Sequence, residues 1–443
     1  MQQLSLKQKA LVGVTLFSMF FGAGNLIFPP FLGALSGQDF WFAIIGFCLS
    51  AVILPVLAVA SVARTEGLIV LANRVHPAFS FVFVLLVYLS IGPCLAIPRT
   101  ASTSFEMALA PYVANFAPTM FGVATHTLVQ ALYSVGFFLL AGFVALDPSK
   151  LTQRLGKVMS PILLTLIAVL FISCLVNPLG AYGPVQAPYA GKALSQGFIE
   201  GYQTMDAIAA LNFGFIIAMN IRQMGVTEDK SLIRETMGAG VIAGLLLAVI
   251  YMALGHIGAS SVGSGIVTEN GAQTLAAVSG LQFGVFGQLV VGAIFFLACF
   301  NVSVGLLSCV SNYFTKTFPV LSYRGWLLLF VVSSLILSNA GLTMILKLSV
   351  PVLISIYPVC IVLTFLGLAQ SAFANKAYVY PVTIALTAIV AIISAAGQLG
   401  HHWGFLSDWV NALPLAHYGF EWVTPALVGI VIGVLLPSKK VLR

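Results

Sequence analysis

Residues 16–33 read LFSMFFGAGNLIFPPFLG and lie in the first long apolar stretch of the chain. Five residues interrupt the stretch: Gly22, Gly24, Asn25, Pro29 and Pro30. Glycine weakens a helix and proline removes a backbone donor, so a helix is expected to break here. A packing face of small residues is the alternative, but such a face needs neither Asn25 nor the two prolines.

The rest of the chain is equally apolar. Of its 443 residues, 60% are hydrophobic and 7% are charged, whereas about 25% of a soluble protein is charged. At roughly 20 apolar residues per membrane-spanning helix, the apolar content suffices for about twelve or thirteen spans. Composition therefore excludes a soluble enzyme, a nucleic-acid binder and a disordered chain. It predicts an all-α polytopic membrane protein, whose backbone groups are paired within helices.

Polar residues divide the chain into twelve candidate spans, numbered here in chain order. They lie near 8–33, 39–62, 78–99, 121–146, 158–179, 199–221, 235–259, 283–314, 325–339, 342–368, 378–397 and 422–437. We expect them to form a single transmembrane domain over residues 1–443. Lys7 and Lys9 precede span 1 as in a signal peptide, but the apolar run reaches about Leu32. That is longer than a signal core, so span 1 is expected to be retained.

Basic residues predict the orientation. Of the 19 Lys and Arg residues, sixteen fall in segments on the same side as the N-terminus. These are Lys7, Lys9, Arg64, Arg74, Lys150, Arg154, Lys157, Arg222, Lys230, Arg234, Lys316, Arg324, Lys376, Lys439, Lys440 and Arg443. Since cytoplasmic segments are rich in Lys and Arg, both termini are predicted to be cytoplasmic. The net charge of +7 is scattered between apolar runs and does not indicate nucleic-acid binding.

Spans 1–5 and 6–10 share an offset of 190 residues. Gly24 and Gly214 are related by it, and so are Lys157 and Lys347, each followed four residues later by proline. Five is an odd number, so the second set would enter the membrane from the opposite face, as an inverted repeat does. Coincidence among the glycines and prolines of an apolar chain is the alternative.

The predicted repeats are residues 8–179 and 199–368, followed by two additional helices at 378–437. In inverted repeats of this kind, binding sites lie where broken helices meet near the middle of the membrane. A half-helix N-terminus attracts a carboxylate there, and freed carbonyls hold a cation.

Span 6 contains GYQTMDAIAALNFGFIIAMNI at residues 201–221, with Asp206 and Asn212 ahead of Gly214. An ionisable residue inside a span is a functional candidate because its burial is costly. A position of Asp206 near the outer interface is the alternative. Under the 190 offset Asn212 pairs with Gly22, so a second break is expected beside Asn212, facing the first break.

Seven segments carry a family resemblance. They are FFGAGNLIFPP (20–30), AIPRTASTSFE (96–106), GYQTMDA (201–207), ENGA (269–272), LSYR (321–324), SNAGL (338–342) and SVPVLISIYP (349–358). Together they resemble the bacterial branched-chain amino acid:cation symporters, the system II carriers. The resemblance implies a secondary transporter in the bacterial plasma membrane that imports leucine, isoleucine and valine with sodium. A proton-coupled transporter of another small neutral amino acid is the alternative.

GAGN, followed by an apolar pair and FP, more distantly resembles the first helix of the sodium-coupled leucine-transporter fold. This resemblance implies inverted five-helix repeats and alternating access around broken helices 1 and 6. We add Asp206 to the implied substrate contacts because it is an ionisable residue inside a span. The predicted contacts are then Gly22, Ala23, Gly24, Asn25, Asp206, Ala209, Ala210, Asn212 and Phe213. Sodium would contact Ser18, Phe21, Asn25, Ala298, Asn301 and Ser303. The amides of Ala23 and Gly24 would meet the substrate carboxylate, and the carbonyls of Ser18 and Phe21 would face a second sodium ion.

Span 8 departs from the family pattern. Where the family has a pair of hydroxyl residues, this chain has Asn301, Val302 and Ser303. The side chain of Val302 cannot coordinate an ion, so Asn301 or Ser303 would supply the oxygen instead.

Other polar features receive less weight. Arg99 and Glu106 are expected to follow span 3, either as an outer gate pair or as a solvated or structural pair. The external loop at 260–282, with an apolar pattern at 272–278, is expected to be a lid or a connector.

The chain lacks the residues that several other functional classes require. The chain has no phosphate-binding loop, and its spans hold no nucleophile with a base. The six cysteines lie in apolar runs without metal-ligand spacing. We therefore expect no enzyme activity, no transition metal, no cofactor beyond the sodium ion, no nucleic-acid partner and no obligatory protein partner. The lipid bilayer and the amino acid substrate are the expected partners.

Overall fold

A computed structural model provides the structure of the protein. It describes residues 3–113, 116–120, 122–146, 160–177 and 179–437. In these ranges nearly all regular structure is helical, and the strands are β1 (Thr119–Met120) and β2 (Val123–Ala124), which pair antiparallel. Six basic residues used to predict the orientation lie outside the described ranges. They are Lys150, Arg154, Lys157, Lys439, Lys440 and Arg443.

The described residues contain seven helical segments long and apolar enough to cross a membrane. An eighth candidate is a pair of helices bent by 50°, Ala193–Thr204 with Asp206–Gln223. Three shorter apolar helices are Leu164–Val176, Tyr323–Ser338 and Val423–Leu435. Each of the twelve predicted spans coincides with helical residues, which agrees with an all-α polytopic membrane fold.

The helices of the first half begin close to the predicted positions. They are α1 (Leu6–Phe20), α2 (Ala23–Ser36), α3 (Phe40–Cys48), α4 (Leu54–Arg64), α5 (Leu68–Asn73), α6 (Pro77–Leu89), α7 (Ala96–Ala108), α8 (Ala110–Val113), α9 (Thr125–Ala145) and α10 (Ser160–Val176). A 3₁₀ turn at Gly37–Asp39 joins α2 to α3. A wide π turn at Leu49–Ile53 joins α3 to α4. A second π turn, at Ser90–Cys94, lies between α6 and α7.

Span 3 is longer than predicted, because α7 continues beyond residue 99. The segment is rich in serine and threonine, yet it is a buried helix. Two of its hydroxyls bond to carbonyls of the preceding turn, Thr100 to Ile97 at 2.6 Å and Ser102 to Pro98 at 3.2 Å. Satisfied hydroxyls can be buried at low cost, and Arg99 consequently lies within the helix.

The second half contains the longest helices. They are α11 (Ala193–Glu200), α12 (Asp206–Gln223), α13 (Asp229–Val262), α14 (Gly271–Thr317), α15 (Tyr323–Ser338), α16 (Leu342–Leu368), α17 (Val379–Gln398), α18 (Phe405–Asn411) and α19 (Val423–Leu435). Short 3₁₀ turns lie at Gly201–Thr204 and Ala416–Tyr418. Helix α14 bends at Gly284, whose φ of +60° suits glycine. Residues 272–278, where the sequence shows an apolar pattern, lie in α14 and are helical. Their function as a lid stays a prediction.

Close helix packing surrounds the two breaks. Helix α2 packs along α13, and a Cβ atom at Gly258 would lie 1.8 Å from the carbonyl oxygen of Pro30. Such an approach is open only to glycine and is typical of membrane helices. Helix α7 packs on α14, and α12 packs on α4. This packing places the α1/α2 break opposite the α11/α12 break.

Candidate functional site

The first break lies at Phe21 and Gly22, within the stretch where the sequence predicts it. In a continuous helix the amide of Gly22 would donate to the carbonyl of Ser18. Instead it donates to Oδ1 of Asn25, at 2.9 Å. The break therefore frees the carbonyl of Ser18 at the end of α1 and the first amides of α2.

Helix α14 supplies the groups opposite the end of α1. The Asn301 Nδ2 atom donates to the carbonyl oxygen and to the hydroxyl of Ser18, each at 3.1 Å. Val302 packs on the break, since a Cβ atom at Gly22 would lie 2.9 Å from its Cγ2. Ser303 is buried, and its hydroxyl has no hydrogen-bond partner within the described part of the chain. The structure thus joins Ser18 to Asn301, while Ala298 is buried on the same helix.

The second break is not beside Asn212, and that prediction is wrong. Residues Gly201–Thr204 form a 3₁₀ turn, Met205 has left-handed backbone angles (φ 63°, ψ 11°), and α12 begins at Asp206. Gly214 has a different role, because a Cβ atom there would lie 2.5 Å from Val62 on α4. It allows close packing of two helices rather than a break.

A buried hydrogen-bond network joins the two breaks. Nδ2 of Asn25 donates to Oδ2 of Asp206 at 2.6 Å, and it also contacts the hydroxyl of Tyr251. That hydroxyl donates to the same carboxylate oxygen at 3.0 Å. All three side chains are buried, so Asp206 lies in the protein interior and not at the outer interface. Sequence reasoning did not identify Tyr251, a lone tyrosine in the apolar span 7.

Arg99 is the second buried charge of the site. Its Nη1 atom donates to the carbonyl of Gln203 at 2.7 Å, and its guanidinium carbon lies 5.5 Å from the ring centre of Phe28. The side chain of Gln203 accepts a hydrogen bond from Ser349 at 3.1 Å, which ties the second break to α16. The predicted pairing of Arg99 with Glu106 does not form. A lone arginine in a serine- and threonine-rich helix was the available signal.

These groups surround a cavity of about 40 Å³. Seven of the predicted substrate residues line it: Gly22, Ala23, Gly24, Asn25, Asp206, Ala209 and Phe213. The sequence did not predict the other lining residues as substrate contacts; they include Met19, Phe20, Ile91, Arg99, Thr100, Thr204, Met205 and Leu306.

Ala210 and Asn212 do not line the cavity, contrary to prediction. Asp206, Ala209 and Phe213 follow the spacing of one helix face, so the residues between them lie on other faces of α12. At about 40 Å³ the cavity is small beside the volume of an amino acid. A bound amino acid therefore requires the surrounding helices to separate.

The fold is shared with membrane transporters of known structure. The inward-facing conformation of Mhp1 matches 95% of this chain and 90% of its own, with a TM-score of 0.61 and 14% identity. A Na⁺-coupled sialic acid symporter in its substrate-bound outward-open state matches 98% of this chain and 91% of its own, with a TM-score of 0.61 and 16% identity. These likenesses confirm the predicted fold class, a multi-pass membrane protein with the leucine-transporter fold.

Sequence similarity identifies the family. Residues 5–440 match the family described as branched-chain amino acid transport protein. The branched-chain amino acid permease BraB of Bacillus subtilis is 38% identical, over 99% of this chain and 98% of that permease. The protein therefore belongs to the branched-chain amino acid transport protein family, which confirms the sequence resemblance. Its relatives are named as permeases and not as enzymes.

Proposed function

We propose that this protein imports leucine, isoleucine and valine by symport with sodium, through alternating access around its two helix breaks. One observation carries the proposal, namely that both breaks meet at a single buried cavity. Amides of Ala23 and Gly24 and the side chains of Asn25 and Asp206 provide its polar end. Ala209, Phe213 and neighbouring apolar residues provide a surface that suits a branched aliphatic side chain.

The oxygen atoms at the first break support sodium as the coupling ion. The carbonyl of Ser18 is no longer used by the helix and faces Asn301, whereas Ser303 lies two residues further along α14 and so on a different face of that helix. Rotation about the Cβ–Cγ bond of Asn301 would turn its amide oxygen towards the carbonyl end of α1. Carbonyls of Ser18 and Phe21 and the Asn301 amide would then hold one ion, with Asn25 at another.

Opening of the cavity requires α1 to move relative to α13. Near its N-terminus, Lys9 forms an ion pair with Glu235 at 3.0 Å, and the Glu235 side chain is only 1% exposed. The pair holds α1 against α13 at the end opposite the break. We infer that this ion pair separates when the site opens on that side of the membrane.

The distribution of basic residues supports an orientation with both termini in the cytoplasm of a bacterial cell. In that orientation the end of α1 that carries Lys9 faces the cytoplasm. The predicted inverted repeats, residues 8–179 and 199–368, would then place the two breaks at related positions of opposite direction. The proposed transport needs no cofactor beyond the coupling ion and no protein partner.

Uptake of labelled leucine into proteoliposomes tests this proposal. The purified protein is given an inward sodium gradient, an inward proton gradient or neither. We expect accumulation with the sodium gradient alone, and we expect excess isoleucine or valine to abolish it. Absence of sodium-driven leucine accumulation would contradict the proposal.

The buried carboxylate of Asp206 favours a second candidate, a proton-coupled transporter of another small neutral amino acid. A carboxyl group that joins two helix breaks is placed to carry a proton between the two sides of the membrane. This candidate predicts accumulation with a proton gradient in sodium-free buffer. It also predicts that Asp206→Asn abolishes accumulation but retains exchange of internal for external substrate.

A further inference from the structure

Arg99 carries more hydrogen-bond donors than the protein satisfies. A guanidinium group has five N–H donors and stays charged at every physiological pH. Its Nη1 atom donates to Gln203, but its Nε atom is buried and has no acceptor among the described residues. The residue is only 4% exposed and lines the central cavity. Unpaired buried donors on a charged group are costly, so this position calls for an anionic ligand.

The same guanidinium lies against the first turn of α2. A Cβ atom at Gly24 would lie 2.9 Å from Nη2 of Arg99, so the lack of a side chain at Gly24 allows this approach. The first amides of α2 have no acceptors within the helix, and the helix dipole makes this end positive. Arg99 and the helix N-terminus therefore favour an anion at one place, and a guanidinium binds a carboxylate with two parallel hydrogen bonds.

Asp206 places a negative charge on the same cavity. Arg99 and Asp206 both line it, yet the ion pairs within 4 Å among the described residues do not include this pair. The Asp206 carboxylate is bonded to Asn25 and Tyr251, and Arg99 is bonded to the Gln203 carbonyl. Two opposite buried charges thus face one cavity from different helices, each held by its own partners.

We infer that Arg99 binds the carboxylate of the transported substrate and Asp206 binds its ammonium group. The ligand class is the zwitterion of an α-amino acid, a statement that rests on the proposed function. A zwitterion adds no net charge to a site that already holds one positive and one negative residue. A ligand without a carboxylate offers no opposite charge to Arg99, and a ligand without an ammonium offers none to Asp206.

Binding of leucine and of leucinamide to the full-length protein in detergent tests this inference. Leucinamide keeps the ammonium and the side chain of leucine but lacks the carboxylate. For the wild type, measured in sodium buffer, we expect leucine to bind roughly tenfold to a hundredfold more tightly than leucinamide. Arg99→Gln is expected to remove most of this preference by weakening leucine binding, while leucinamide binding stays the same.

Lys347→Gln is the matched control, because this basic residue lines a different pocket and not the central cavity. It should leave both affinities unchanged. Arg99→Lys keeps the charge but loses the two-pronged geometry, so its preference should lie between those of the wild type and Arg99→Gln. If Arg99→Gln does not elute as a folded protein, the Arg99→Lys variant decides the question.

The two possible failures are distinguishable. If the wild type binds leucine and the Arg99 variants keep the wild-type preference over leucinamide, Arg99 does not bind the carboxylate and the inference is overturned. An equal loss of both affinities would also overturn it, because a residue that only supports the fold would act in that way. If the wild type binds no leucine, the proposed function itself fails and the inference fails with it.

Discussion

The α1/α2 break and the α11/α12 break face one cavity but are built from different residues. At the first break the chain has Gly22, and the Asn25 side chain replaces the lost helical hydrogen bond at 2.9 Å. At the second break the left-handed residue is Met205, a non-glycine with φ of 63°. A left-handed conformation costs such a residue about 1–2 kcal/mol.

This difference teaches how each break is encoded. The first is encoded locally, by residues that weaken a helix and by a side chain three positions further along. The second is stabilised by contacts with distant segments. Met205 is only 3% exposed, and the next residue, Asp206, is hydrogen-bonded to Asn25 on α2 and to Tyr251 on α13. The second break also carries a negative charge, whereas the side chains at the first break are uncharged.

The largest expected effect is at the charged break. Asp206→Ala removes the acceptor of hydrogen bonds from Asn25 and Tyr251 and leaves both donors buried. At about 1.5–3 kcal/mol for each bond to a charged group, initial leucine uptake into proteoliposomes should fall roughly a hundredfold or more. Asp408→Ala is the control, because its side chain is 70% exposed and should not affect uptake. Uptake within threefold of the wild type would show that the breaks work without this carboxylate.

A methyl group at the first break should have the next largest effect. The Cβ atom of Gly24→Ala would lie 2.9 Å from Arg99 Nη2 and 3.2 Å from Thr204 Cα, so α2 and the second break must move apart. Overpacking costs about 1–3 kcal/mol, and we expect roughly tenfold slower leucine uptake. Gly136→Ala, whose new Cβ would meet no heavy atom within 4 Å beyond its own stretch of helix among the described residues, should leave uptake unchanged. Equal uptake by both variants would mean that the close approach at Gly24 is unimportant.

Asn301→Ala sharpens the assignment of sodium to the first break. The variant removes the side chain bonded to Ser18, and with it one of the proposed ion ligands. Loss of one neutral ligand, at about 1 kcal/mol, should raise the sodium concentration for half-maximal uptake roughly fivefold. Asn339→Ala, which removes an amide that donates to the Leu335 carbonyl of the preceding helix α15, is the control. An unchanged sodium dependence would place the ion elsewhere.

The smallest effect concerns how the second break is held. Met205→Ile and Met205→Leu keep a similar side-chain volume, but a β-branched residue tolerates positive φ poorly. The isoleucine variant should therefore be less stable by about 1 kcal/mol, measured by thermal unfolding in detergent. At Met107, buried in the regular helix α7, the same two substitutions should differ by only a few tenths of a kcal/mol. An equal difference at both positions would show that Met205 is not strained.

The candidate site was only partly predictable from the sequence. Asn25 and Asp206 stand out because polar residues are rare in apolar spans, and the structure places both on the cavity. Asn212 stands out for the same reason but does not line the cavity, since rarity in the sequence does not indicate which face of a helix a residue occupies. The sequence predicts Arg99 at the end of a span because its neighbours are polar, whereas in the structure the hydroxyls of Thr100 and Ser102 bond within α7 and allow burial.

The sequence by itself determined the membrane class, the position of the helices and the first break. These features depend on the length of apolar runs and on glycine and proline, whose effects are local along the chain. Only the tertiary structure decided the position of the second break, the burial of Arg99 and the contact between Asn25 and Asp206. Each of these depends on which helices pack together, because a buried charge or a strained residue is stable only where distant segments supply its partners.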